Sequence, residues 1–281
     1  MKKGLIWLLL FCSLPHLSAQ QWGKNFTFGY NGVVLDGVLN LPEQSPPRGI
    51  VLIVHGSGRT NAVAQNLHGD VRAAIVAAGY GTYMWDKMGC GKSGGVFDYN
   101  QTVASSAAEV IAAITALRAH RIPGAETIGL WGISRAGWIN PLVIAQFPGI
   151  KFWISVSGVD DQENFGYLLE QNLLITGLPR DSVDQIVAEW HQGVRITHRG
   201  GTYEEFLAAT PSMRANAFLD RFNNGRKITA AGYYAYQKGF MPESLDETTG
   251  LQVYVDNFAT ILSQVEVPVL ALFGEKDKNV D

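Results

Sequence analysis

The chain has 281 residues, a formal net charge of −3, 17% charged and 47% apolar residues, 31 glycines and two cysteines. That length buries a large core as one or two domains, and that apolar share excludes a disordered chain. Near-neutral charge excludes a basic face for nucleic acid or anionic lipid, and two cysteines supply neither a disulfide scaffold nor a four-ligand zinc site.

Residues 1–19 read as an export signal. Lys2 and Lys3 form a positive start, Gly4–Leu14 is an apolar run, Pro15 breaks it, and Leu17-Ser18-Ala19 is a small-residue cleavage site. The run is too short for a bilayer, which takes roughly 20 apolar residues. Cleavage near Ala19 gives a periplasmic or secreted protein with no membrane span, and leaves Cys90 as its one cysteine.

Further on, Phe26–Tyr30 and Val33–Leu39 flank Asn31-Gly32, a two-residue hairpin signal. Gly49–His55 is a continuous apolar run, expected as a strand buried on both faces. Val71–Ala78 is helix-like and Tyr80–Asp86 is a second buried strand. Thr102–His120 is a long helix with Val103, Ala107, Val110, Ile111, Ile114 and Leu117 on one stripe. Thr127–Ile133 reads as a strand, Arg135–Gln146 as a helix, Lys151–Val156 as a strand. Such alternation predicts an α/β fold, a mostly parallel sheet with helices on both faces.

The alternation stops near Gly158. Leu168–Ile175, Ser182–Trp190 and Glu204–Ala209 have helical spacing, and Thr202 with Glu205 forms a capping box. Strand pattern resumes at Pro268–Phe273. The expected organisation is a core of residues 20–158 and 266–281 with a helical cap, 159–265, inserted before the last strand.

Four segments carry chemistry. Gly132-Ile133-Ser134-Arg135-Ala136-Gly137 follows a strand and opens a helix, the context of a nucleophile elbow. So tight a turn needs small residues two before and two after the serine, here Gly132 and Ala136. The Arg135 N–H, at the helix start, then faces a developing oxyanion. His55-Gly56-Ser57-Gly58 offers a second donor, the Ser57 N–H, with His55 expected to hold the loop rather than act as a base. In Asp86–Gly95, Gly91-Lys92-Ser93 looks like the end of a phosphate-binding loop. Asp86 stands where that loop needs its first glycine, so nucleotide binding is set aside. Lastly, Asp277 follows the final strand, where an open sheet presents functional groups; Asp160 and Asp161 are the alternative acids.

Together these residues resemble the α/β-hydrolase fold from Phe26 to Asp281. Their order is similar to bacterial carboxylesterases of the EstD kind, and to serine aminopeptidases and prolyl-oligopeptidase-like hydrolases. The resemblance implies a serine hydrolase acting on a small-molecule ester or a short peptide, with Ser134 as nucleophile, Asp277 as acid, and no metal or organic cofactor. Arg135 departs from the glutamine, glutamate or methionine usual at its position. Its cation favours acidic substrates if it faces the cleft and does nothing if it faces solvent.

A serine triad in this fold runs serine, acid, histidine, so the base is expected after Asp277. The sequence shows no histidine between Asp277 and Asp281. The expectation is therefore of a chain truncated at its C-terminus, lacking the last strand and helix, inactive alone, with its catalytic histidine encoded beyond position 281. A non-catalytic binding protein that has lost its base is the alternative of another class.

Overall fold

The computed structural model describes residues 23–98, 101–159, 164–217, 219, 228–239, 253–275 and 277. The expected leader, 1–19, and the alternative acids Asp160 and Asp161 lie outside the described residues. Seven strands form one sheet: β1 (Lys24–Tyr30), β2 (Val33–Asn40), β3 (Ile50–Val54), β4 (Gly81–Trp85), β5 (Ile128–Ser134), β6 (Ile150–Gly158) and β7 (Val269–Leu272). Their order across the sheet is β1-β2-β4-β3-β5-β6-β7. β1, β2 and β4 pair antiparallel, whereas β4, β3, β5, β6 and β7 run parallel.

The hairpin forms where Asn31-Gly32 places it. Both residues have positive φ, 48° and 76°, as the favoured two-residue turn requires. Strand β3 explains the continuous apolar run. Ile50, Leu52 and Val54 enter one core cluster while Val51 and Ile53 enter the other, so both faces are covered. One cluster packs the sheet against α2 (Val103–Ala119) and α3 (Ala136–Gln146); the other packs it against α1 (Gly69–Ala77). The α2 stripe is buried at Val103, Ala107, Val110, Ile114 and Leu117, with Ile111 at its margin. Thr102 caps α2 by accepting from the Ser105 N–H.

Between β6 and β7 the described chain is helical: α4 (Asn164–Ile175), α5 (Arg180–His198), α6 (Tyr203–Ala209), α7 (Pro211–Ala215), α8 (Ala230–Gly239) and α9 (Phe258–Ser263). The Thr202/Glu205 capping box opens α6 with both of its hydrogen bonds formed. Leu169, Leu173, Val183 and Ile186 give α4 and α5 a small core of their own. Strand β7 pairs with β6, yet its side chains are exposed, Leu270 at 53%. Among the described residues no helix is long and apolar enough to cross a membrane.

Candidate active site

Ser134 ends β5 and α3 starts two residues later. Its φ is +53°, the left-handed region that costs a side chain about 1–2 kcal/mol. The neighbours enforce that conformation. A Cβ at Gly132 would lie 2.4 Å from Asn140 Nδ2 and 2.6 Å from the Ala136 Cβ. One at Gly137 would lie 2.4 Å from the Val159 carbonyl oxygen. The Val159 N–H donates to the Ser134 carbonyl at 3.2 Å, tying the turn to the end of β6. Small residues on both sides of the serine are thus a packing requirement. The half-buried serine is turned out at the carboxyl edge of the parallel strands, beside the positive end of α3.

The β3 loop lies against this turn. A Cβ at Gly56 would sit 3.3 Å from the Ile133 carbonyl oxygen and 3.4 Å from the Ser134 Cβ. Ser57 is exposed next to it. His55 is buried, and its Nε2 lies 2.6 Å from the Trp85 carbonyl oxygen. A carbonyl only accepts, so Nε2 carries the proton. Burial, then the Lys87 charge, push this imidazole down to about 3, although the bond to Trp85 opposes the shift. His55 is a neutral strut between β3 and β4, as its position before the glycine suggested.

Arg135 settles a choice that the sequence left open. Its guanidinium is largely buried and faces neither solvent nor an open cleft. Nη1 donates to Ser106 Oγ at 2.9 Å, and Nη2 donates to the Gln101 carbonyl. Glu109 is close enough to act on its charge. That carboxylate is itself buried, accepting from Trp85 Nε1 at 2.6 Å and Gln101 Nε2 at 3.0 Å. The side chain after the serine therefore fastens the elbow to the start of α2. Its remote partners, 29 and 34 positions away, explain why local sequence does not reveal this.

The Asp86–Gly95 segment forms turns around a carboxylate. Asp86 is buried and accepts from the Val63 and Lys92 N–H groups at 2.9 and 3.2 Å. A Cβ at Gly91 would fall 1.8 Å from Asp86 Oδ2. The N–H of Lys92 is spent on a side chain of the same loop, which agrees with setting nucleotide binding aside.

Asp277 lies just past β7, half-buried on the same edge as Ser134, with its N–H on the Gly274 carbonyl at 2.9 Å. The Tyr167 hydroxyl reaches the Asp277 carbonyl oxygen at 3.5 Å. With β6 between β5 and β7, about 10 Å of sheet separates the two strands, so a third group must connect acid and serine. Among the described residues the histidines have other contacts. His68 lies on Trp131 with ring centroids 4.7 Å apart, and His120 lies on Phe26 at 5.4 Å. His191 and His198 ride on α5, His191 against Trp190. Of the cap aromatics, Phe206 and Tyr233 are buried packing residues, while Tyr234 is 44% exposed.

A cavity of about 180 Å³ opens on the same edge, lined by Tyr30, Lys87, Met88, Phe97, Gln101 and Ser105 among others. It meets the elbow through two walls. Lys87 reaches the β3 loop, and the Gln101 carbonyl takes the Arg135 guanidinium.

Sheet order, flanking helices and the serine turn define the class: the protein is an α/β hydrolase. The X-Pro dipeptidyl-peptidase family, S15, matches residues 31–280, and the chain belongs to that family. No curated protein matches the sequence. Among solved structures, proline iminopeptidase from Mycobacterium smegmatis is similar, at 18% identity over 91% of this chain and 83% of that one, with a TM-score of 0.53. VinJ is similar at 20% identity over the same shares, with a TM-score of 0.52. The ferulic-acid-bound Est1E from Butyrivibrio proteoclasticus aligns at 23% identity over 47% of this chain, with a TM-score of 0.40. There the chain spans about half of the relative's length, 52%. At these identities the likeness is one of fold.

Proposed function

We propose that the protein is an exported serine hydrolase that cleaves a carboxylic ester through an acyl-enzyme on Ser134. The observation that carries this reading is the positive φ of Ser134 at the strand–helix turn, a strained conformation at the carboxyl edge of the sheet. Ser134 Oγ attacks the ester carbonyl, and the N–H groups of Ser57 and Arg135 take the negative charge of the tetrahedral intermediate. The alkoxide leaves with the serine's proton; the triad of this fold gives that relay to a histidine, a role none of the described histidines fills. Water then releases the acid and restores Ser134. Asp277 orients that histidine. The helices between β6 and β7 act as the cap, with substrate entering between them and the sheet.

The family match favours a second reading, cleavage of a peptide bond by the same machinery. Local charge favours the ester. An X-Pro dipeptide presents an ammonium, and the Lys87 cation lies on the β3 loop beside the elbow.

The test uses the protein expressed from its natural gene. A fluorophosphonate probe is expected to label it, and Ser134→Ala to abolish the label. A parent protein that stays unlabelled supports a non-catalytic binding role. Labelling unaffected by Ser134→Ala overturns the assignment of Ser134. Hydrolysis of a p-nitrophenyl ester without hydrolysis of a Gly-Pro anilide supports the ester reading; the converse supports the peptidase. A secreted protein whose N-terminus lies near Gln20 supports export.

A further inference from the structure

Lys87 is not used in the acyl-transfer scheme above, yet its ammonium reaches into the β3 loop. Nζ donates to the Gly56 carbonyl at 2.5 Å and to the Gly58 carbonyl at 2.8 Å. One ammonium thus gathers two carbonyls that flank Ser57. Gly58, at φ +85°, bends the chain so that both converge.

We infer that Lys87 is a positioning residue that fixes the direction of the Ser57 N–H, and through it the oxyanion site beside Ser134. The inference rests on the serine-hydrolase reading. In a planar trans peptide the carbonyl of one residue and the N–H of the next point to opposite sides. Anchoring the Gly56 carbonyl on Lys87 therefore directs the Ser57 N–H away from Lys87. The loop is also pressed on the elbow, since a Cβ at Gly56 would meet Ser134 at 3.4 Å. Without the ammonium, the Gly56 carbonyl loses the donor that fixes its direction, and the peptide between Gly56 and Ser57 is freer to turn about ψ of Gly56 and φ of Ser57. Rotation would offer the oxyanion a carbonyl in place of an N–H, and repulsion in place of a hydrogen bond.

The charges around Lys87 make the device sensitive to pH. Burial and the Arg135 cation lower its ammonium to about 8, while Glu109 and the Cys90 thiol oppose them. His55 is neutral on the same side, and Asp98 shares the cavity wall. Above that pH the two carbonyls lose their charge-assisted donor.

The experiment measures fluorophosphonate labelling of Ser134 at increasing probe concentration, since phosphonylation also builds negative charge on an oxygen. Lys87→Met is expected to lower the limiting rate about 10- to 100-fold, while the half-saturating concentration changes by less than about 2-fold. Lys87→Arg is expected to restore most of the rate. The parent rate is expected to fall above pH about 8, and the Lys87→Arg rate to stay level there. A Lys87→Met protein that labels at the parent rate overturns the inference. Equal losses in both variants with an unchanged pH profile also overturn it, leaving a purely structural lysine. Should Lys87→Met lose its melting transition, Lys87→Gln and the Lys87→Arg pH profile decide between the same outcomes. A parent protein that does not label overturns the serine-hydrolase reading, and this inference falls with it.

Discussion

Two glycine-rich turns leave the same edge of the sheet, one after β4 and one after β5, and they use their backbones in opposite ways. The turn after β4 is closed on itself. Asp86 holds the Val63 and Lys92 N–H groups, and Ser93 Oγ both donates to the Asp86 carbonyl and accepts from the Asp36 N–H. The turn after β5 is open. It holds a serine at φ +53° beside a helix N-terminus, and its one long cation is tied away behind it. By sequence alone the first resembles the end of a phosphate-binding loop that lacks its first glycine, and the second a nucleophile elbow. In the turn after β4 the carboxylate consumes N–H donors and serves stability, while Lys87 on the same turn reaches out to the β3 loop. The turn after β5 stores strain, and on the function proposed above it is the one that serves chemistry.

Substitutions should separate the two turns cleanly. Asp86→Ala is expected to cost about 1–3 kcal/mol, because it leaves two part-buried N–H groups without their acceptor, and a shift in the urea midpoint would measure it. Labelling of the folded fraction should change far less than stability. His55 ties β3 to β4, and its pH dependence follows from its depressed basicity. The unfolded chain protonates this imidazole below about 6.5 while the folded one holds off until about 3. Unfolded protein then binds more protons, so stability falls as pH drops through that window, by at most ~1.4 kcal/mol per pH unit. Urea melts between pH 7 and 4 should show this slope, and His55→Asn should flatten it. Gly132→Ala is expected to cost about 1–3 kcal/mol through overpacking against Asn140 and Ala136, and to slow labelling as the serine is displaced. The smallest effect has the opposite sign. Ser134→Gly should gain about 1 kcal/mol by relieving the positive φ, a rise in Tm of roughly 2–4 °C. Ser134→Ala keeps the same backbone and should gain nothing. Equal melting temperatures for the two variants would remove strain from the argument.

What the sequence disclosed follows the range of the forces involved. The hairpin, β3, α2 and the elbow were legible because each is decided locally, by turn glycines, an apolar run, a stripe or small neighbours of a serine. Helices α8 and α9 were not, since Ala230–Gly239 and Phe258–Ser263 are short and draw their order from packing. Phe258, for instance, is buried in the main core, with Ile261 and Leu262 of its own helix packed beside it. The sequence leaves the orientation of Arg135 open because Gln101 and Ser106 become its neighbours only when α2 docks beside α3. Lys87 is inconspicuous in the sequence for the same reason. Gly56 and Gly58 are 31 and 29 positions away, and nothing in the Asp86–Gly95 stretch announces them.

The strain at Ser134 also has a cooperative side. No local bond holds the serine in the left-handed region; Gly132, Ala136, Asn140, Gly137 and Val159 do so jointly, from β5, α3 and the end of β6. Such a geometry exists only while those three elements stay packed. The reactivity of one hydroxyl is then a gauge of the whole core. In rising denaturant, Ser134 labelling should vanish along the same curve as the global fold, with no plateau between them.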